Sequence, residues 1–245
     1  MQIKDYQIVL LGVLIALGSI CSTYILSKSI VEFQKLQNQT IRVTGSASQN
    51  VTSDKASWTI RIKSTNPTLK EGYSKINADT SKVKAFLTSK GIDEKNIETA
   101  SINSYENNRR LPNGGYTNEV ESYTVYRTIT VKSDDIKKLT DISTQADLLV
   151  NQDINMTSEN VQYFVSNLDD IKVKMVGEAS KNAKERANSM IKGTNGKIGV
   201  MTNAKMGVFQ IVPIDSTEVN DYGINDTSSI EKRVVATVSA TFTVK

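Results

Sequence analysis

Hydrophobic and polar positions along the chain follow three kinds of pattern, and each predicts its own kind of element. From Ile8 to Leu26 no residue is charged. Coiled as a helix at about 1.5 Å per residue, this run spans roughly 28 Å, close to the hydrocarbon thickness of a bilayer. It predicts one transmembrane helix, with residues 1–28 as an uncleaved N-terminal anchor. Cleavage as a signal peptide is the competing reading, but Tyr24, Ile25 and Leu26 interrupt the small residues Ser22, Thr23 and Ser27 that a cleavage site would need. Lipidation at Cys21 is disfavoured by the bulky Ile20 before it. Residues 29–40 keep Ile30, Phe33 and Gln37 in helical register while growing polar, and read as a stalk or linker.

From Lys55 the period changes to two. In KASWTIRIK, Ala56, Trp58, Ile60 and Ile62 share one face and Ser57, Thr59, Arg61 and Lys63 the other, which predicts a half-buried strand. The period then becomes helical. Leu69, Tyr73, Ile76, Thr80, Val83 and Leu87 recur behind an Asn66 cap and Pro67, with Gly91 at the end. Two strands follow, in Ile97–Glu106 and Val120–Lys132, joined by a flexible hairpin tip around Pro112, Asn113, Gly114 and Gly115. A second helix is predicted from a Ser133 or Asp134 cap with Ile136, Leu139, Ile142 and Ala146 on one side. Imperfect alternation over residues 153–166 predicts a strand that is bulged or covered on both faces.

A third helix begins after Asn167. Asp169 and Asp170 occupy its first turn, and Ile171, Met175, Ala179, Ala183 and Ala187 form its stripe, with Met190 adjoining. Two strands close the chain, in residues 196–212 and 232–245, separated by a polar, acidic segment predicted to be mobile. The last strand turns Val234, Ala236, Val238, Ala240, Phe242 and Val244 inward. The order strand-helix-strand-strand-helix-strand, then helix-strand-strand, predicts an α+β fold: a mainly antiparallel sheet with helices packed on one face, a split βαβ-like core and a helix-strand-strand extension.

Composition narrows the chemistry. The 245 residues, 38% hydrophobic, suffice for a core without crosslinks. That matters because the single cysteine permits no intrachain disulfide, and no zinc cluster can be built from it. The chain has no histidine, which removes the usual general base at neutral pH and any Ser-His or Cys-His relay. Thirty basic and 26 acidic residues are interspersed, giving a net charge of +4 with no phosphate-binding stripe, so no nucleic acid is expected as a partner. No cofactor or metal is expected either.

The stretch IRVTGSASQNVTSDKASWTIRI, Ile41 to Ile62, resembles the opening of the SIMPL domain family, in which a Val-x-Gly-x-Gly/Ala strand precedes a Pro-Asp-x-Ala turn; here Ser53-Asp54-Lys55-Ala56 stands at that turn. SKGIDEKNIETASINSYE, ESYTVYRTITVKSDD, the alanine-rich EASKNAKERANSMIKGTNGKIG and the closing VVATVSATFTVK continue the resemblance in order. It covers residues 41–245, which are therefore expected to form one SIMPL-like α+β domain. The resemblance implies a bacterial extracytoplasmic domain prone to self-association, with no catalytic residues to carry over. Together with the short N-terminal tail, it implies a single-pass protein whose C-terminal domain lies in the periplasm or outside the cell.

The expected function is a homo-oligomeric scaffold or protein-binding module of the cell envelope, not an enzyme. Its expected partners are the bilayer, through residues 8–26, further copies of itself, and other envelope proteins. In the anchor, Gly12, Ala16, Ser19, Thr23 and Ser27 stack small residues along one helix face and form a candidate association stripe, although small residues are common in membrane helices anyway. Pro112, Asn113, Tyr116, Asp221 and Tyr222 are the candidate contact residues of two loops. One alternative is an envelope hydrolase with paired carboxylates, open to a chain without histidine; another is a peptide-binding, chaperone-like module that adds client strands to a sheet edge. The acid pairs Asp134–Asp135 and Asp169–Asp170 lie at predicted helix starts, where capping explains them. Asp54 reads as a turn former, and Gly45-Ser46 as strand backbone.

Overall fold

A computed structural model describes residues 3–112 and 114–244. A long helix, α1 (Ile3–Asn38), leads into strands β1 (Thr40–Thr52) and β2 (Lys55–Asn66) and helix α2 (Leu69–Ser89). Strands β3 (Ile97–Thr99), β4 (Asn103–Arg110) and β5 (Tyr116–Ser133) follow, then α3 (Ile136–Ser143), the short α4 (Asp147–Val150), and strands β6 (Met156–Ser158) and β7 (Gln162–Phe164). Helix α5 (Leu168–Ile191) precedes β8 (Ile198–Met206), β9 (Gln210–Pro213), β10 (Ile224–Asn225) and β11 (Glu231–Val244). The chain divides into two compact units. One holds Gln49–Ile171 and Gln210–Val234, the other the residues up to Ser48, Lys172–Phe209 and those from Val235 onward.

In the first unit, β2 and β5 lie side by side over Ala56–Asn66, with β3 and β4 on the far side of β5 and β6 and β7 on the far side of β2, all antiparallel. The first and third strands of the predicted series are thus central and the second and fourth are at the edges, which is the split βαβ arrangement. Period two does the work that the sequence assigned to it: Ala56, Trp58, Ile60 and Ile62 are buried, with Val125, Ile129 and Val131 of β5 beside them. Ile76, Val83 and Leu87 of α2, and Leu139 and Ile142 of α3, cover that face and complete one core with Leu149 and Ile154.

Several local expectations change. The α2 cap is Thr68, whose hydroxyl accepts the Glu71 N–H; Asn66 ends β2 and takes the Ser64 hydroxyl instead. Leu69 and Tyr73, at the start of the predicted stripe, stay 40% and 36% exposed, whereas Asp79 and Phe86 are buried. Asp135 caps α3, accepting the Lys138 N–H, in place of Ser133 or Asp134. The strand expected over 153–166 is two short strands, β6 and β7, each paired with β2. The hairpin is longer than expected, because Asn107–Arg110 and Tyr116–Glu119 are strand and only the stretch from Leu111 to Gly115 turns. Asn113 lies outside the described residues.

In the second unit, α5 lays its alanines on β1 and β11. Ala183 and Ala187 pack with Val43, Ala240 and Phe242, flanked by Ile41 and Ile198. Met175 and Ala179 are equally buried, while Met190 is 63% exposed and stands off the stripe. Gly45 on β1 explains the alanines: a Cβ there would overlap Ala179 O and Ala183 N and lie 2.7 Å from Ala183 Cα. Strand and helix backbones touch at this point, which requires glycine on one side and small residues on the other. Within α1, Leu10–Gln34 form a 25-residue stretch long and apolar enough to cross a membrane, with none of it buried. The helix continues to Asn38, so the segment read as a stalk is helical almost to its end.

Candidate interaction surfaces

Three kinds of surface bear on function. On α1, the Ser19 hydroxyl donates to Ala16 O and the Thr23 hydroxyl to Ser19 O, both at 2.8 Å, so the polar tips of the small-residue stripe are satisfied within the helix. Ser19, Thr23 and Ser27 line a shallow concavity with Ile20 and Tyr24, and nothing lies within 4 Å of the Cβ position of Gly12. Ala16 is exposed with them.

The two candidate loops are tied by local contacts. At the hairpin tip, Leu111 N–H donates to Gly115 O and Gly114 takes φ +86°, a turn that only glycine adopts cheaply. Tyr116, 64% exposed, is braced by Arg110, which stacks 5.2 Å from its ring and donates to its hydroxyl at 2.9 Å; Pro112 is exposed beside it. The segment between β9 and β11 is more ordered than its polarity suggests. Gln210 donates to Asn220 O at 2.6 Å, Tyr222 N–H donates to Asn220 Oδ1 at 2.9 Å, and β10 pairs with β9 in parallel. Asp221 is exposed and Tyr222 is 96% exposed at the apex of this turn.

The third surface is β8. It pairs antiparallel with β11, Val238 opposite Met206 and Val244 opposite Ile198, and no second strand pairs with it among the described residues. Beyond Ile198 and Gly199 every residue of β8 is exposed, including Val200, Met201 and Met206. A nine-residue strand therefore presents unpaired N–H and C=O groups beside apolar side chains. The sequence predicts a single strand over residues 196–212, where the structure has two, β8 and β9; the lack of a second neighbour for β8 is a property of topology that no local pattern encodes.

The polar residues with chemical potential serve structure. Asp54 accepts the Ser166 N–H at 2.7 Å and the Ser166 hydroxyl, and its own N–H donates to Phe164 O, so the turn between β1 and β2 is stitched to the end of β7. The Ser166 hydroxyl, aided by its backbone N–H and opposed by slight burial, holds the Asp54 carboxyl below its ordinary 3.8. A carboxyl with a depressed folded-state pKa stabilises the fold above the unfolded value and loses that contribution as pH falls below 3.8. Asp54→Asn is therefore expected to lower the urea midpoint at pH 7, with the gap to wild type closing as pH falls from 4 towards 2. A gap that stays constant over that range would contradict the bond.

Lys232, 2% exposed, donates its ammonium to Tyr163 O at 2.7 Å and to Asp226 O; burial pulls its pKa down, against the pull of the Asp226 carboxylate. Burial would raise Asp226, but hydrogen bonds from Ser228 and Ser229 outweigh it and hold that carboxyl low. Lys232 is buried because it lies two residues before Val234 in the same inward phase of β11, so its position was readable from the alternation. Asp79, also buried, pairs with Lys75 at 3.0 Å, and the same amine donates to Asp153 O. Asp135 is a helix cap, while Asp169 and Asp170 lie in the first turn of α5. Ser46 donates its N–H to Asn182 Oδ1 and sits beside Arg186, which bonds Thr44 O at 3.0 Å, so the Gly45-Ser46 pair is strand backbone docked on α5.

This geometry gives physical content to the motifs noticed in the sequence: the Val-x-Gly strand and the alanine-rich helix are two halves of one close contact, and the Ser-Asp-x-Ala turn is a stitched corner. The class they define is an α+β domain behind an apolar helix. The SIMPL family model, described as a protein of unknown function (DUF541), matches residues 41–244, and the chain belongs to that family. No curated protein matches the chain.

Proposed function

We propose that the protein is a membrane-tethered, extracytoplasmic scaffold of the cell envelope that assembles with copies of itself through β8. The observation that carries this reading is the open β8 edge. Antiparallel pairing of two β8 strands about Thr202 sets Val200 against Ala204, Ile198 against Met206 and Lys205 against Gly199, so the one charged residue of the strand meets no like charge. Lys205 and the register shifts against β11 near Phe242 keep the edge from being an indiscriminate template. Tethering supplies the remaining drive: α1 confines the domains to a plane and raises their effective concentration, so a weak edge contact suffices. The small-residue stripe of α1 and the exposed Tyr116 and Tyr222 are secondary contacts in this reading. The family description names no reaction, and the structural roles of the acids support a non-catalytic function.

The test uses the full chain extracted from membranes. Native mass spectrometry is expected to give a closed oligomer whose copies retain residues 1–28. Thr202→Cys, in a Cys21→Ser background, is expected to form disulfide-linked dimers on mild oxidation. A monomer in both measurements sinks the proposal; a peptide displacing the dimer at β8 would assign the edge to client strands instead.

A further inference from the structure

The face of the first unit's sheet opposite α2 and α3 carries a groove of about 360 Å³, walled by Arg61 and Lys63 of β2, Tyr105 of β4, and Thr124 and Tyr126 of β5. Register explains the gathering. Lys63 is opposite Tyr126, and Thr124 is opposite Tyr105, so period two sends these side chains to the face that Trp58, Ile60 and Ile62 leave free. The two tyrosine rings lie 6.4 Å apart and tilted by 55°, forming one angled aromatic wall. The floor is polar but satisfied, because Thr124 Oγ1 lies 2.9 Å from Thr65 Oγ1 and accepts from Asn107 Nδ2 at 2.9 Å.

What remains available is the rim. Neither tyrosine hydroxyl nor the Lys63 ammonium has a protein partner among the described residues. Arg61 is half-satisfied by Glu159 at 3.7 Å, the one acid that pairs with it among the described residues, which leaves Lys63 as the net positive charge. The groove thus combines apolar ring faces with donors that carry positive charge, the mixture by which a site takes a flat, acceptor-rich, anionic ligand.

We infer that this groove binds an acidic sugar residue of a glycan chain, its ring stacked on Tyr105 and Tyr126 and its carboxylate held by Lys63 and Arg61. Each part of that ligand answers one feature. The electron-rich face of tyrosine attracts the polarised C–H face of a pyranose ring, and the sugar hydroxyls meet the two phenol groups. A neutral sugar leaves the Lys63 ammonium without a partner, and a small inorganic anion leaves the tyrosine wall unused. Binding here is independent of assembly through β8, since the groove lies on β2, β4 and β5 alone.

Calorimetric titration of the full chain in detergent with tetragalacturonate tests the inference, with maltotetraose, tetraglutamate and inorganic phosphate as comparisons. Tetragalacturonate is expected to bind at least about tenfold more tightly than each comparison, and more weakly as salt rises. Lys63→Glu and Tyr105→Ala, both at exposed positions, are each expected to weaken it at least about tenfold without altering the far-ultraviolet circular dichroism, while Lys63→Arg preserves it. No binding of tetragalacturonate, equal binding of tetraglutamate or phosphate, or binding unchanged in both the Lys63→Glu and Tyr105→Ala variants overturns the assignment.

Discussion

Gly45→Val is expected to melt the packing of α5 on its strands. The missing side chain is where backbone meets backbone: a Cβ would overlap Ala179 O and Ala183 N, and neither can swing aside without displacing a turn of helix. Overpacking against movable side chains typically costs 1–3 kcal/mol, and a clash with helix backbone lies at the upper end, so about 3 kcal/mol is expected. Gly199 supplies the comparison. A Cβ there would press on Thr243 Oγ1, the end of a side chain that can rotate, and Gly199→Ala should cost far less. Hydrogen exchange along residues 172–191 of the full chain reads the difference: protection is lost in Gly45→Val and largely kept in Gly199→Ala. Equal protection in both would mean that the Gly45 contact is not close.

That contact shows where the sequence was informative and where it stopped. The stripe Met175, Ala179, Ala183, Ala187 and the alternation of β2 and β11 each announced a buried face, because burial leaves a periodic trace in the elements that experience it. Partners leave no such trace. Nothing in Gly45 alone says that α5 is its neighbour, and nothing in β8 says that one of its edges stays open. Caps were displaced by one or two residues for a related reason: Asn66, Thr68, Ser133, Asp134 and Asp135 all have cap-competent side chains, and strand length decides which of them reaches the helix start. The groove was hidden by register: Lys63 and Tyr126 are 63 residues apart in sequence yet opposite in the sheet, and Tyr105 joins them from β4, opposite Thr124. Lys232 and Asp79 were legible in principle; both occupy inward phases of strongly patterned elements, where a charged residue is a signal of a buried clamp.

Trp58→Ala should produce the other large effect. Trp58 is wholly buried in the core that β2 and β5 share with α2 and α3; it stands opposite Val131 of β5, between the stretches of β2 that pair with β7 and with β6. Truncating an indole there removes its transfer free energy and leaves a cavity that a close-packed core fills only in part, a cost of about 3–5 kcal/mol. It also frees the Ser158 hydroxyl, which now accepts the indole N–H at 3.0 Å and helps hold β6 on β2. Trp58→Phe retains much of the volume and loses that bond, so its cost should be nearer 1–2 kcal/mol. As the chain's only tryptophan, Trp58 reports wild-type unfolding by a red shift of its emission; the variants are followed by far-ultraviolet circular dichroism in urea. The expected ranking is wild type, then Phe, then Ala, with β6 amides exchanging faster in both variants. If the Ala variant unfolds at the wild-type midpoint, the first unit is not organised around this residue.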